Sequence, residues 1–375
     1  MAGIYLHVPF CKQKCTYCDF HFSTTYAGYR NKMIAALKKE IETRTNYLNG
    51  EQIETIYFGG GTPSLLTEEE LKSLVDAIYE NYDVQSEIEF TLEANPDDIS
   101  SEQLAAWKRV GVNRLSIGIQ SFYQADLDWM NRAHSVEEGR NALRLAKEEG
   151  FFITADLIYG LPNHTLKELD FNIQEMLKLS PDHISAYCLT VEKGTGLHHL
   201  INTMQLPSVG EDEQADEFEF LVTSLLKAGY DQYEISNYAK KDAYSKHNTN
   251  YWLGVKYLGI GPSAHSFNGE GRRWNVANNT LYIKALQNSE SYWEEEILSP
   301  SDRFNELILT GLRTKWGVDL SDLYGIKPET PRFRNQLDKF IQNDLLREEN
   351  ACVFLTKKGK LQADFIASEL FTEED

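Results

Sequence analysis

Three cysteines lie within eight residues near the start of the chain, in the string GIYLHVPFCKQKCTYCDFHF. Cys11, Cys15 and Cys18 follow a short apolar stretch that reads as a strand. Thiolates this close together, with residues between them that can wrap around a centre, suit a metal ion or an iron-sulfur cluster. A disulfide would leave one thiol over. The pattern therefore predicts a metal centre just beyond the first strand.

The spacing of these cysteines bears on which metal they bind. A structural zinc site needs four ligands, whereas C-x3-C-x2-C supplies three and the next cysteine is Cys188. His21 could complete a Cys3His zinc site, so zinc stays open as an alternative. An iron-sulfur cluster held by three thiolates would instead leave one iron free to bind another ligand.

The cysteine motif, with Tyr17 before its last cysteine, resembles the signature of radical S-adenosylmethionine (SAM) proteins. That resemblance implies a 4Fe-4S cluster on Cys11, Cys15 and Cys18, whose open iron binds SAM. The wider string YLHVPFCKQKCTYCDF is similar to one branch of the superfamily. This branch contains the oxygen-independent coproporphyrinogen III oxidases and the HemW-type haem chaperones.

Two features separate the chain from the oxidases of that branch. The oxidases carry a further cysteine two residues after the third, where this chain has Phe20. They also carry an extension ahead of the cluster strand, whereas this sequence starts at Met1. Both differences favour a haem chaperone that passes haem to acceptor proteins. The alternative is an enzyme, a radical SAM oxidase that decarboxylates porphyrinogen propionates, and the sequence leaves it open.

The composition limits the classes of protein to which this chain can belong. The chain has 375 residues, is 42% hydrophobic and carries a formal charge of −20, from 57 acidic and 37 basic residues. Such a charge repels a phosphate backbone and argues against nucleic acid as the partner. No apolar run is long enough to span a membrane and no signal peptide is evident, so we expect a cytoplasmic protein with reduced thiols. Membrane-associated haem acceptors and a homodimer both stay open.

Strands and helices alternate along the first half of the chain. Six predicted strands, counted from the cluster strand, are separated by helices, and Thr67 with Glu70 forms a capping box that opens one of these helices. The alternation predicts parallel βαβ units and hence an α/β fold, a partial (β/α)6 barrel. Polar residues recur at the predicted C-terminal strand ends, where such sheets place their working groups.

The pattern also predicts a division of the chain. We expect a radical SAM partial barrel with the cluster and SAM site over 1–205, and a connecting α+β region over 206–300. A winged-helix-like module is expected over 301–375, because two short strands around a polar turn precede a last helix. In so acidic a chain this module reads as a packing or docking unit.

The resemblance also implies a SAM site. Carboxylates suit the ammonium and ribose groups of SAM, and an arginine suits its carboxylate. Each residue alone could equally serve a structural salt bridge, and the triple glycine could be only a tight turn. The positions that match the SAM contacts of the family are Tyr5, Tyr17, Gly61, Thr62, Glu93, Gln120, Arg132 and Asp156.

A second motif, HNTNYW, starts at His247. It resembles the HNxxY motif of the haem chaperones, which implies that His247 and Tyr251 are associated with haem. Imidazole is a common haem-iron ligand, and several neighbouring aromatic residues could stack on a porphyrin. As a bare pattern it also fits a capped turn with a buried histidine. His265 could face the same pocket as His247.

Overall fold

A computed structural model, which describes residues 1–373, contains a parallel sheet at its centre. The six predicted strands are neighbours in chain order and run parallel, which confirms the partial (β/α)6 barrel. They are β1 (Ala2–Val8), β2 (Ile53–Gly60), β3 (Val84–Ala94), β4 (Arg114–Gln120), β5 (Phe152–Tyr159) and β6 (His183–Cys188). Because the strands are parallel, their carboxyl ends lie along one edge of the sheet.

The connecting helices bury apolar faces against the outside of this sheet. Thr67 and Glu70 form the predicted capping box, and Ser135 and Thr165 begin two further helices in the same way. The helices are α1 (Arg30–Thr43), α2 (Glu68–Asn81), α3 (Ser101–Val110), α4 (Gln124–Trp129), α5 (Val136–Glu148) and α6 (Leu166–Leu179), with 3-10 turns at Pro63–Leu65 and Pro96–Asp98.

The segment 206–300, predicted as a connecting region, extends this same sheet at both edges. Two strands join antiparallel beyond β6, namely β7 (Asp231–Glu234) and β8 (Asn237–Ala239). On the other side β9 (Lys256–Ile260) pairs in parallel with β1, followed by β10 (His265–Phe267), β11 (Gly271–Asn275) and β12 (Trp293–Ile297). A short helix, α7 (Gly196–Asn202), precedes this segment, and the helices within it are α8 (Glu211–Lys227), α9 (Lys246–Trp252) and α10 (Asn279–Asn288). Buried residues of this segment share the hydrophobic core of the barrel.

The last part of the chain has a sheet and a hydrophobic core of its own. Its elements are α11 (Pro300–Leu312), β13 (Val318–Asp319), α12 (Leu320–Ile326), α13 (Pro331–Gln342), β14 (Leu346–Glu349), β15 (Cys352–Leu355), a 3-10 turn (Gly359–Gln362) and α14 (Ala363–Glu369). We call this part the C-terminal module. The two predicted strands around the polar turn are present, and the winged-helix description stays an interpretation. Among the described residues, no helix is long and apolar enough to cross a membrane.

Polar contacts join the C-terminal module to the barrel sheet. Arg313 lies between Glu234 on β7 and Asp364 on α14, with N–O distances of 3.1 and 3.0 Å. Lys315 pairs with Asp231. The side chain of Ile235 packs against both cores. The seam between the two parts therefore contains several polar contacts, beside the ring contacts of Trp316 with Tyr233 and Tyr244, and differs from the continuous core beneath the sheet.

One buried carboxylate holds the edge extension to the barrel. Glu40 on α1 is fully buried, and its oxygens accept hydrogen bonds from Asn275, Tyr282 and the backbone N–H of Gly261. Arg44 lies one turn further along α1 and pairs with it at 3.1 Å. These donors come from α1, the β9–β10 connection, β11 and α10, so a single side chain ties four segments together.

We expect Glu40→Leu to lower the free energy of unfolding by about 3–5 kcal/mol, because it removes the carboxylate partner of a buried guanidinium and the acceptor of three further hydrogen bonds. Urea denaturation measures this. Glu40→Gln keeps one acceptor and should cost less. Glu42→Leu, on the exposed face of the same helix, is the matched control. Equal midpoints for Glu40→Leu and Glu42→Leu would contradict the role assigned to Glu40.

Candidate functional site

A pocket of about 920 Å³ lies at the carboxyl ends of the parallel strands. It contains the predicted cluster cysteines and all but one of the predicted SAM positions. Those lining residues are Cys11, Cys15, Cys18, Tyr17, Gly61, Thr62, Glu93, Gln120, Arg132 and Asp156. Tyr5, the remaining one, lies below the pocket floor, where its hydroxyl contacts His7 Nδ1 at 3.2 Å. Residues distant in sequence are thus brought together as the strand-end argument predicts.

The cysteine loop leaves β1 and is fixed at its first residues. The backbone N–H of Cys11 donates to the carbonyl of Ser23 at 3.1 Å. Thr62 Oγ1 lies 3.4 Å from Cys11 Sγ, and Arg132 lies 3.5 Å from Cys15 Sγ. Burial raises the pKa of the Cys11 thiol to about 12. A positively charged metal centre would stabilise the ionised form of this thiol, so the three cysteines fit a cluster.

His21, the possible fourth zinc ligand, is engaged elsewhere. Its Nε2 lies 2.8 Å from Asn279 Oδ1 on α10, and its backbone carbonyl bonds to His7. Its side chain is not among those that line the pocket with the cysteines. Across residues 1–373 no group of three His, Cys, Asp or Glu side chains is placed to hold a single metal ion.

The triple glycine allows β2 to end directly against the cysteine loop. The backbone N–H of Gly61 donates to the carbonyl of Val8 at 2.9 Å. A Cβ at Gly61 would lie 2.6 Å from the carbonyl oxygen of Phe10, and a Cβ at Gly60 would lie 2.4 Å from the ring of His7. Gly60 also adopts a φ of +101°, which side chains disfavour. No larger residue fits here without moving the loop.

Two carboxyl groups face the pocket from β3 and β5. Glu93 accepts hydrogen bonds from Tyr57 at 2.8 Å and from the N–H of Gly60 at 3.1 Å. Burial among protein atoms raises the pKa of Glu93 to about 7. Burial, and then the nearby charge of Glu93, raises the pKa of Asp156 to about 8, against the opposing effect of Arg132. A cationic ligand would relieve this repulsion.

Arg132 is a partly buried cation without a carboxylate partner among the described residues. One of its terminal nitrogens contacts Asn95 Oδ1 at 2.8 Å and the carbonyl of Gly118 at 3.0 Å. The other lies 3.4 Å from the Tyr17 hydroxyl. Its Nε has no hydrogen-bond partner in the described chain. A guanidinium held in this way is suited to an anionic ligand group such as a carboxylate.

Gln120 ends β4 in an unusual conformation. Its φ is +67°, a left-handed value that non-glycine residues adopt at some cost, and the register between β4 and β5 shifts beside it. The residue lines the pocket although it is largely buried. The strained backbone directs the end of this strand toward the site.

Three supporting residues were missed by the sequence argument. Tyr57 donates a hydrogen bond to Glu93, and Asn95 accepts one from Arg132. Ser116 lies 3.4 Å from Asp156. Tyr57 lies two residues before the triple glycine and Asn95 two residues after Glu93, so proximity to the predicted strand ends was the available signal.

The histidine of the HNxxY motif lies behind the pocket. His247 is buried, and its ring nitrogens contact Thr55 Oγ1 at 2.8 Å and the Tyr251 hydroxyl at 3.0 Å. Its ring stacks on Tyr57 with a centroid separation of 5.0 Å. Burial lowers the pKa of His247 to about 3, so the ring is neutral. Neither His247 nor Tyr251 lines the pocket. Direct ligation of haem iron would require His247 to give up one of these bonds.

His265 does not share the surroundings of His247, which the sequence left open as a possibility. His265 is exposed on β10 and stacks on Trp274, with ring centroids 6.3 Å apart. His247 instead begins α9, where its N–H donates to Glu89 of β3. The glycine-rich connection after β9 turns the chain toward the outer edge of the sheet, which separates the two histidines.

Family comparisons agree with this geometry. The sequence matches the radical SAM superfamily over residues 5–175 and the HemN C-terminal domain over residues 298–361. The structure is similar to coproporphyrinogen III oxidase (HemN) from Escherichia coli, with a TM-score of 0.87 over 99% of this chain and 90% of the other, at 23% identity. Fold and site together define a radical SAM protein with a HemN-like C-terminal part.

Full-length relatives narrow the family. Heme chaperone HemW from Bacillus subtilis is 34% identical over 96% of this chain and 97% of its own length. The Haemophilus influenzae protein of the same name is 33% identical over 99% of this chain and 98% of its own length. A mouse relative, radical S-adenosyl methionine domain-containing protein 1, mitochondrial, is 33% identical over 84% of this chain and 74% of its own length. The chain belongs to the heme chaperone HemW family.

The raised carboxyl pKa values predict a pH-dependent stability of the ligand-free protein. Glu93 and Asp156 bind protons more tightly when folded, because their pKa values of about 7 and about 8 exceed the ordinary values near 4. Their contribution is therefore greatest at low pH and is lost as the pH rises through 7 and 8. We expect the thermal midpoint to fall by a few degrees between pH 6 and 8.5, and Asp156→Asn to flatten this dependence.

The control for this titration is Asp128→Asn, an exposed carboxylate on α4. Because general charge repulsion also grows with pH, the informative quantity is the difference in slope between variants. If Asp156→Asn and Asp128→Asn followed the slope of the unmodified protein, the raised pKa of Asp156 would be refuted.

The placement of His247 gives a second prediction. His247→Ala removes a packed ring and leaves Thr55 and Tyr251 without a partner, so we expect a loss of about 2–3 kcal/mol in stability. Weaker SAM binding should follow from loosened packing beneath the pocket, and the haem absorption spectrum should stay unchanged. A shifted haem spectrum at full SAM affinity would instead establish His247 as a haem ligand.

Proposed function

We propose that this protein is a haem chaperone that binds haem and a SAM-liganded 4Fe-4S cluster and transfers haem to acceptor proteins. The observation that carries the proposal is the convergence, in one pocket, of three free thiols, an unneutralised guanidinium and two carboxyl groups. The names of relatives that match over nearly their whole length supply the connection to haem. The acceptors are proposed as haem proteins that receive the group after it is bound here.

In this proposal Cys11, Cys15 and Cys18 hold the cluster. A cluster held by three thiolates keeps one iron accessible to a further ligand. Thr62 and Arg132 lie close enough to the thiols to stabilise their ionised form by hydrogen bonding and charge.

SAM would occupy the floor of the pocket. Arg132, which has an unpartnered Nε, would bind the SAM carboxylate. Glu93 and Asp156 would face its ammonium and ribose groups, and their mutual repulsion would fall when a cation lies nearby. The remaining predicted contacts come from the cysteine loop, the glycine turn and the end of β4: Tyr17, Gly61, Thr62 and Gln120. Tyr5 would support them from below.

The alternative function is oxygen-independent coproporphyrinogen III oxidase. The cluster cysteines and all but one of the predicted SAM positions line this pocket, which favours it, since an enzyme of that class needs both groups. Against it stands Phe20 at the position of the additional cysteine. That side chain lines the pocket and supplies no thiol.

A haem titration of anaerobically reconstituted protein tests the proposal, with SAM present and coproporphyrinogen decarboxylation assayed in parallel. We expect stoichiometric haem binding without decarboxylation, followed by loss of the haem signal to an added apo-haemoprotein. If the bound haem were not transferred to the apo-haemoprotein, the transfer step of the proposal would be wrong. Turnover of the porphyrinogen without stable haem binding would overturn the proposal in favour of the oxidase.

A Cys15→Ala variant provides the control for cluster dependence. It should lose the iron-sulfur absorption and show whether haem binding requires the cluster. Because Cys15 is only partly buried and belongs to none of the hydrophobic core clusters of the described residues, the fold should survive this change.

A further inference from the structure

The pocket has two chemically different halves. Its floor holds the polar groups at the strand ends, described above. Its mouth is built from the cysteine loop, the end of β6 and the C-terminal module. The mouth residues include the apolar and cationic side chains Phe20, Tyr187, Arg313, Lys360, Leu361 and Phe365, beside the acidic side chains Asp19, Glu192 and Asp364.

The pocket is large for a small-molecule site. At about 920 Å³ it lies near the upper end of the ~300–1,000 Å³ range of small-molecule sites. The residues assigned to the cluster and SAM lie at the floor and the cysteine loop. The mouth is therefore available to a ligand of its own.

Aromatic side chains at the mouth are unusually exposed. Phe20, on the cysteine loop, is 67% exposed, and Phe365, on α14, is 54% exposed. They come from opposite ends of the sequence and line one pocket. Exposed apolar side chains that gather around a concave surface mark a place where an apolar ligand binds. Two phenyl rings can make stacking contacts with a flat aromatic molecule.

Lys360 differs from the other cations of the seam. Arg313, Lys315 and Lys357 pair with acidic residues of the barrel sheet or of α8. Lys360 donates to the neutral Gln232 at 2.8 Å, and no carboxylate among the described residues lies within ion-pair distance of it. The mouth thus presents a lysine that makes no ion pair beside exposed aromatic rings, although the charges of Asp231 and Glu234 act on it from beyond ion-pair distance.

We propose that this mouth is the haem subsite, with the macrocycle against Phe20 and Phe365 and one propionate on Lys360. The assignment rests on the haem-chaperone function proposed above and gives that function a place in the structure. A flat apolar ring with carboxylates at its edge matches aromatic walls and a single free cation. It also locates haem at the barrel–module seam, away from His247.

The test compares haem with haem dimethyl ester, which has no free propionate. Both are titrated into the full-length reconstituted protein, into Lys360→Gln and into Phe365→Ser. Lys339→Gln, on the exposed surface of α13, and Phe152→Ser, a 52% exposed phenylalanine at the start of β5, are the matched controls. Neither control residue lines the pocket. SAM binding and circular dichroism verify that each variant is folded.

We expect Lys360→Gln to weaken haem binding by about five- to tenfold and to leave binding of the dimethyl ester unchanged. Phe365→Ser should weaken both ligands, because it removes apolar contact and not charge. The two controls should bind both ligands as the unmodified protein does.

Two outcomes would overturn the assignment separately from the function. If the unmodified protein binds haem but Lys360→Gln and Phe365→Ser bind it equally well, haem lies elsewhere and the subsite is wrong. If Lys360→Gln weakens haem and its ester equally, the propionate contact is wrong. Absence of haem binding by the unmodified protein would instead refute the proposed function itself.

Discussion

The close contact between the ends of β1 and β2 is the constraint on which the site depends. Gly61 donates to Val8, and the space beside it is too narrow for any side chain. That contact sets Thr62 against Cys11 and turns the N–H of Gly60 toward Glu93. The cysteine loop, the glycine turn and the first pocket carboxylate are therefore positioned by one backbone approach. A substitution there would displace all three at once.

The unpaired charges at this site explain why the arrangement is suited to binding a ligand and is not simply part of the protein core. Arg132 makes no ion pair with a carboxylate among the described residues, and its charge only partly offsets the repulsion between Glu93 and Asp156. Each of these groups is held by neutral neighbours, such as Asn95, Tyr57 and Ser116, which orient it without neutralising it. Unmatched charges of both signs at fixed positions favour a zwitterionic ligand that complements each of them.

Local signals made much of the fold predictable. The capping box at Thr67 and Glu70 and the strand–helix alternation depend on neighbouring residues, and the structure contains both. The strand-end polar residues followed from the geometry of parallel sheets. The pairing of β9 with β1 did not, because it joins segments about 250 residues apart and depends on tertiary packing. The placement of His247 was unpredictable for the same reason, because the strands that bury it, β1, β2 and β3, are far from it in sequence.

The two halves of the pocket also differ in how they are supported. The floor belongs to strands that share one continuous hydrophobic core, so its groups are held rigidly. Part of the mouth belongs to a module with a separate core, joined across a polar seam by contacts such as Arg313 with Glu234. Polar seams between separately packed units open more readily than a shared core does. A protein that must retain one ligand and release another gains from this division, because release can proceed at the mouth while the floor stays intact.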